Sequence, residues 1–280
     1  RGHRAPNGMG VGPNGEITTG DNEGTWTPKC PINWVKKGGF YGVVDFIEKP
    51  KRRDPPLCWL PKNVDNSGGG QVWITSEKFG PLSGQLLHMS YGTCKLYRVL
   101  KEEVDGVMQG GVVELPLRFD SGINRARFHK KQNCLYISGL RGWQTRASKN
   151  GGFYRVRYTG KSICQPSEMK FRKDRIILSF TEALDAKSAG DLNNYNIEWW
   201  NYRWTKAYGS RDYKVSNPRR TGHDPVDVKK VTVSEDGKRV TIETEEPLQK
   251  VSQIKISYTL KTTKGQSVRQ DIFGTISRLP

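Results

Sequence analysis

An all-β chain of two domains is predicted by a long-period aromatic repeat in the first 160 residues and a different strand pattern after it. The repeat closes three segments with nearly the same alternating strand: GGFYGVVDF (Gly38 to Phe46), TCKLYRVL (Thr93 to Leu100) and GGFYRVRYTG (Gly151 to Gly160). Tyr41, Tyr97 and Tyr154 mark the copies, 56 and then 57 residues apart. A fixed period of this size, with apolar and polar residues alternating inside each copy, is what a stacked β repeat writes into a sequence. The expected architecture is a partial β-propeller of about three four-stranded blades over residues 1–160, followed by a β-sandwich over 161–280.

Each period also carries a hairpin ahead of its aromatic strand. VGPNGEITTGD (Val11 to Asp21) and FHKKQNCLYISGL (Phe128 to Leu140) read as strand, tight turn, strand, with Asn14-Gly15 supplying positive φ in the first turn. The middle copy has GQVWIT (Gly70 to Thr75) and GQLLHMSYG (Gly84 to Gly92) in the same place. Three blades fall short of the four to eight or so that close a ring. The chain also begins at Arg1, and the expectation is a C-terminal piece of a longer protein. No apolar run long enough for a signal peptide core or a membrane span is present.

The period stops near Cys164. Beyond it, MKFRKDRIILSF (Met169 to Phe180), VKKVTVSEDGKRVTIET (Val228 to Thr244, turning at Asp236-Gly237), VSQIKISYTL (Val251 to Leu260) and a closing strand near Ile272 to Ile276 predict short strands at sandwich spacing. One short helical turn is expected within Thr181 to Trp200. Leu184, Asp185, Ser188, Ala189, Asp191, Asn194 and Tyr195 form an L-D-x-x-S-A-x-D-x-x-N-Y pattern that resembles bacterial immunoglobulin-like modules, and the resemblance implies a spacer or docking role. The insertion from Trp199 to Val228 adds Trp199, Trp200, Tyr202, Trp204, Tyr208 and Tyr213, aromatics suited either to stacking on sugars or to packing.

Five cysteines (Cys30, Cys58, Cys94, Cys134, Cys164) include no CxxC, which removes zinc-ribbon, thioredoxin and haem-attachment readings. A disulfide between Cys30 and Cys58 would staple the irregular stretch between them. Net charge is +18, spread over both halves. No recognition element for nucleic acid accompanies it, so nucleic acid is not expected as a partner; a solvated basic surface, an acidic polysaccharide or an acidic redox partner fits better. His88 and Met89 are adjacent in a strand, face opposite sides and read as packing or channel lining rather than as ligands of one iron. DNSGGGQVW (Asp65 to Trp73) lacks the Lys-Ser/Thr of a phosphate loop. Asp21, Asn22 and Trp26, in GDNEGTW, form a candidate sugar-binding loop.

Asn124-Arg125-Ala126-Arg127 puts two guanidiniums on one strand face, a geometry for holding carboxylates. With the hairpin that follows, this segment resembles the soluble quinoprotein glucose/sorbosone dehydrogenase family, whose N-R-x-R segment precedes the last inner hairpin. The resemblance implies pyrroloquinoline quinone as cofactor, its carboxylates held by Arg125 and Arg127 beside Asn124. The family's cofactor lysine has no counterpart at Ser90-Tyr91-Gly92-Thr93, where the nearest lysine is Lys95. Its catalytic histidine and calcium segment belong to blades outside this chain, which contributes no metal site of its own. GLRGWQT (Gly139 to Thr145) and GGFYRVRYTG are similar to large secreted bacterial proteins that join such propellers to c-type cytochrome or glycoside-processing domains. A secreted or periplasmic location, and a cytochrome domain elsewhere in the full-length chain, follow from that resemblance. Two functions are therefore expected: oxidation of sugars or other alcohols with a quinone, or a non-catalytic carbohydrate-binding or scaffold propeller.

Overall fold

In the computed structural model, which describes residues 1–45 and 52–280, the two expected strand patterns form sheets that are antiparallel throughout. The chain sorts into two compact units. The first takes residues 1–99, 114–160 and 203–211; the second takes 100–113, 161–202 and 212–280.

The first unit is an arc of propeller blades. Strands β1 (Pro6–Val11), β2 (Ile17–Asp21), β3 (Cys30–Val35) and β4 (Cys58–Leu60) form a four-stranded sheet in chain order. The second blade follows with β5 (Gly68–Trp73), β6 (Leu86–Ser90) and the opening residues of β7 (Lys95–Val104). Its outer edge is completed where the chain returns from β8 (Val107–Glu114), Leu115 N–H donating to Leu96 O at 2.9 Å. The third blade has only three strands, β9 (Gly122–His129), β10 (Cys134–Leu140) and β11 (Gly151–Arg157). The innermost strand of each blade packs on the next, β1 on β5 and β5 on β9. Between the second and third blades lies an apolar core built from Val72, Leu87, Met89, Leu96, Ile123, Leu135 and Ile137.

Glycine makes the inner strands fit. A Cβ on Gly69 would lie 2.7 Å from Ile123 O and 2.8 Å from Met89 O, and one on Gly8 would lie 2.3 Å from the Gly70 Cα. The Gly68-Gly69-Gly70 run is thus a place where three backbones meet, a close approach that only a residue without a side chain permits.

Two expectations change here. The first aromatic copy is not a strand: β3 is the third strand of its blade, and residues 36–45 form turns and irregular backbone. Gly38 and Gly42 hold φ of 76° and 128°, which break extended pairing. Tyr41 and Val43 instead donate their N–H groups to the carbonyls of Arg1 and Gly2 at 2.9 Å. Phe46, the end of that copy, lies outside the described residues. The second change is at the cysteines, all five of which carry free, buried thiols. Cys30 sits opposite Leu60 and Cys58 opposite Ile32 in the β3–β4 register. The stretch between them is held by backbone bonds, Leu57 N–H to Ile32 O and Asp54 N–H to Phe40 O, both 2.8 Å, rather than by a bridge.

The second unit is a sandwich. One sheet orders β12 (Pro166–Arg172), β13 (Arg175–Phe180), β17 (Arg239–Thr244) and β16 (Val228–Val233). The other runs from β15 (Asp224–Pro225) through β14 (Tyr195–Trp200), β18 (Val251–Lys261) and β19 (Ser267–Ile276) to β8. Alternate residues from both sheets, among them Phe171, Ile176, Ile242, Ile197, Ile256 and Ile272, are sealed in one core. The expected helical turn is α1 (Ala186–Gly190), where Asp185 caps by accepting from Ser188 N–H at 2.7 Å. The β16–β17 turn contains Gly237 at φ 68°. Glu102, buried in this unit, accepts from Phe171 N–H, Gln109 Nε2 and Arg172 Nη1 at 2.8 to 3.1 Å, so its charge is fully answered.

Candidate functional site

An irregularity at Asn124 lets β9 bury both Ile123 and Ala126, and alternation from there on turns Arg125 and Arg127 outward. Both arginines line a cleft of about 510 Å3 within the first unit. The opposite wall comes from β1, β2 and β3 and is largely apolar, with Pro6, Met9, Ile17 and Val35, and His3 stands at its edge. Among the described residues, no acidic side chain lines the cleft.

Arg125 is held in place. Its Nη1 donates to Asn124 O and Asn124 Oδ1 at 2.8 and 3.1 Å, and its Nη2 donates to Asn7 Oδ1 of β1 at 2.8 Å. Arg127 donates only to Ala126 O, at 2.8 Å. Neither guanidinium forms an ion pair among the described residues, so two positive charges with unused N–H groups face the cleft.

His3 is the residue that sequence reasoning missed. It stacks on Tyr41 with ring centroids 4.5 Å apart, and its Nδ1 is buried 3.8 Å from Asp21 Oδ2 without a hydrogen-bond partner. Burial lowers its pKa, against the opposing pull of the Asp21 charge. The ring is therefore neutral near pH 7 and able to take a proton. A lone histidine three residues from the start of the chain carries no motif; only folding brings it beside β9.

The three candidates of the GDNEGTW loop are each engaged differently. Asp21 is buried and its carboxylate accepts from the backbone N–H groups of Arg4 and Ala5 at 2.7 Å and of Asn22 at 2.8 Å. Asn22 keeps a buried Oδ1 without a partner. Trp26, at φ 60°, donates Nε1–H to Asp45 Oδ1 at 2.6 Å and packs at 4.7 Å on Trp204 from the aromatic insertion. Of that insertion, Trp199 and Trp200 are buried in the second unit, Trp200 stacking on His223 at 3.8 Å, while Tyr208 is exposed under the Arg4 guanidinium.

His88 is sealed away from the cleft. Its Nε2 meets Asp65 Oδ2 at 2.6 Å and its Nδ1 meets Gln71 Nε2 at 3.1 Å; Asp65 Oδ1 also accepts from Ser90 Oγ and Ser67 N–H. This is a structural polar network under β5 and β6, in line with packing. Among the described residues no group of three or more histidine, cysteine or carboxylate side chains is placed to hold a metal ion.

Fold and site together define the class: an all-β protein whose first unit is an arc of propeller blades, with Arg125 and Arg127 lining one cleft. No protein-family model matches the chain, and no curated protein matches it. Among solved structures, it is similar to one described as a putative oxidoreductase (glucose dehydrogenase) from Thermus thermophilus, with 18% identity and a TM-score of 0.42 over 55% of this chain and 45% of that one. The chain thus spans less than half the length of that neighbour.

Proposed function

We propose that the first unit belongs to a quinoprotein-type dehydrogenase that oxidises a sugar or another alcohol outside the cytoplasm. One observation carries the reading: Arg125 and Arg127 face a single cleft without an acidic partner. Pyrroloquinoline quinone, a planar ring system bearing carboxylates, suits that donor set, with the guanidiniums for the carboxylates and Pro6, Met9 and Ile17 for the ring faces. When bound, the quinone supplies the two-electron oxidant. The chain's own part is to orient and to move a proton. Arg125, braced by Asn7 and Asn124, would fix the register of the acid groups, and Arg127 would hold them from the next outward position.

His3 is the base of this reading. With Nδ1 turned to Asp21, Nε2 is the nitrogen that takes the hydroxyl proton, and the Asp21 charge stabilises the imidazolium that results. Calorimetric titration of pyrroloquinoline quinone into the protein, with and without calcium, tests the cofactor. Saturable binding weakened by about 1.5 to 3 kcal/mol in Arg127→Ala is expected for a charged hydrogen bond. Absent binding, or binding indifferent to both arginines, removes the quinone and leaves a carbohydrate-binding or scaffold propeller.

A further inference from the structure

The β9–β11 sheet has one sealed face and one bare one. Ile123, Ala126, Leu135 and Ile137 are buried on the first. The second presents Arg125 and Arg127 from β9, Tyr136 from β10, and Phe153, Arg155 and Arg157 from β11. Tyr136 stands directly between Arg127 and Arg155 in the strand register. Its ring stacks on Phe153, with centroids 5.5 Å apart and planes 14° from parallel, and Phe153 is 74% exposed.

None of the four guanidiniums forms an ion pair among the described residues. Like charges on neighbouring positions of a sheet repel, so this arrangement stores positive charge that only an outside anion relieves. The face also differs from the sealed side of the same sheet, which contributes Ile123, Leu135 and Ile137 to an apolar core with the second blade.

We propose that this face docks an acidic polysaccharide, the open side of the Phe153 ring taking the C–H face of one sugar while Arg155 and Arg157 take its carboxylates. A single-stranded nucleic acid is disfavoured by the aromatics. Tyr136 spends its ring on Phe153 and its hydroxyl on Gln132 Oε1, at 2.5 Å, which leaves one free ring where a nucleic-acid track stacks successive bases on successive rings.

The test is binding of the full chain to polygalacturonate, with neutral dextran and an oligothymidine as the alternative probes. Arg125 and Arg127 also line the cleft, so the variants are confined to β11: Arg155→Glu with Arg157→Glu, the milder Arg155→Gln with Arg157→Gln, and Phe153→Ala. Both arginine side chains are exposed and unpaired, so the thermal midpoint should hold. The expected result is saturable, salt-sensitive binding of polygalacturonate and none of dextran, weakened about tenfold or more for each guanidinium lost and less for the ring. The proposal is overturned by no polygalacturonate binding, by affinity unchanged in the variants, by tighter binding of the oligothymidine, or by a concentration-dependent dimer that the same substitutions dissolve. Quinone titration of the β11 variants should match the unaltered protein, which keeps this surface separate from the cleft.

Discussion

Arg125 Nη2 donates to Asn7 Oδ1 at 2.8 Å, joining β9 to β1 across 118 residues of chain. The bond ties the inner strand of the third blade to that of the first, and it preorganises a guanidinium at the cleft. A double-mutant cycle of Arg125→Ala and Asn7→Ala should show coupling of about 0.5 to 1.5 kcal/mol in urea unfolding. Additive losses would mean that the bond contributes nothing to stability.

Under the proposed chemistry, His3→Gln keeps a polar side chain of similar reach and removes the base. Turnover with a sugar or alcohol should fall about 10^2- to 10^4-fold while quinone affinity holds. Loss of affinity instead would make His3 a wall of the cleft rather than its proton acceptor.

Gly69→Ala places a methyl group 2.7 and 2.8 Å from two backbone carbonyl oxygens of neighbouring strands. Backbone on both sides cannot give way cheaply, so a cost of about 1 to 3 kcal/mol is expected in denaturant unfolding. Gly15→Ala has open space around it but a φ of 85°, so any loss there reports backbone strain alone.

Asp65→Ala removes the shared acceptor of His88, Ser90 and the Ser67 N–H in a fully buried network. Stranded donors should cost about 3 to 5 kcal/mol of stability, against far less for an exposed carboxylate such as Asp120. Equal effects of the two substitutions, read from urea midpoints, would contradict the network.

Burial pushes the Cys164 thiol up from about 9 to about 11, and Cys30, Cys58 and Tyr258 move further in the same direction, desolvation leading in each. A group whose folded pKa is raised stabilises the fold below its unfolded pKa and loses that contribution as pH climbs toward the folded one. The unfolding midpoint should therefore fall as pH rises from about 9 toward 11. Native-state alkylation of Cys30 and Cys58 should stay negligible near pH 8 until the chain is unfolded.

Strand patterning was legible because side chains alternate faces: the hairpins at Val11 to Asp21 and Phe128 to Leu140, the Asp236-Gly237 turn, the α1 turn and the outward pairing of Arg125 with Arg127 all depend on nearest neighbours in the chain. The first aromatic copy misled for the opposite reason. Tyr41 alternates like a strand residue, yet its backbone N–H bonds to Arg1 at the far end of the unit's chain, and two left-handed glycines were enough to override the pattern.

By itself, then, the sequence determined the all-β character and the outward pairing of two guanidiniums on one strand, because period-2 alternation and charge type are local properties. Only tertiary structure decided that His3 stands at the cleft, that Asp21 backs it, that Gly69 marks a meeting of backbones and that Trp26 rests on Trp204. Each of those relations joins residues far apart in the chain, and nothing in local alternation encodes which distant strand a side chain will meet; burial of the blade interiors and the close approach of the inner strands settle it.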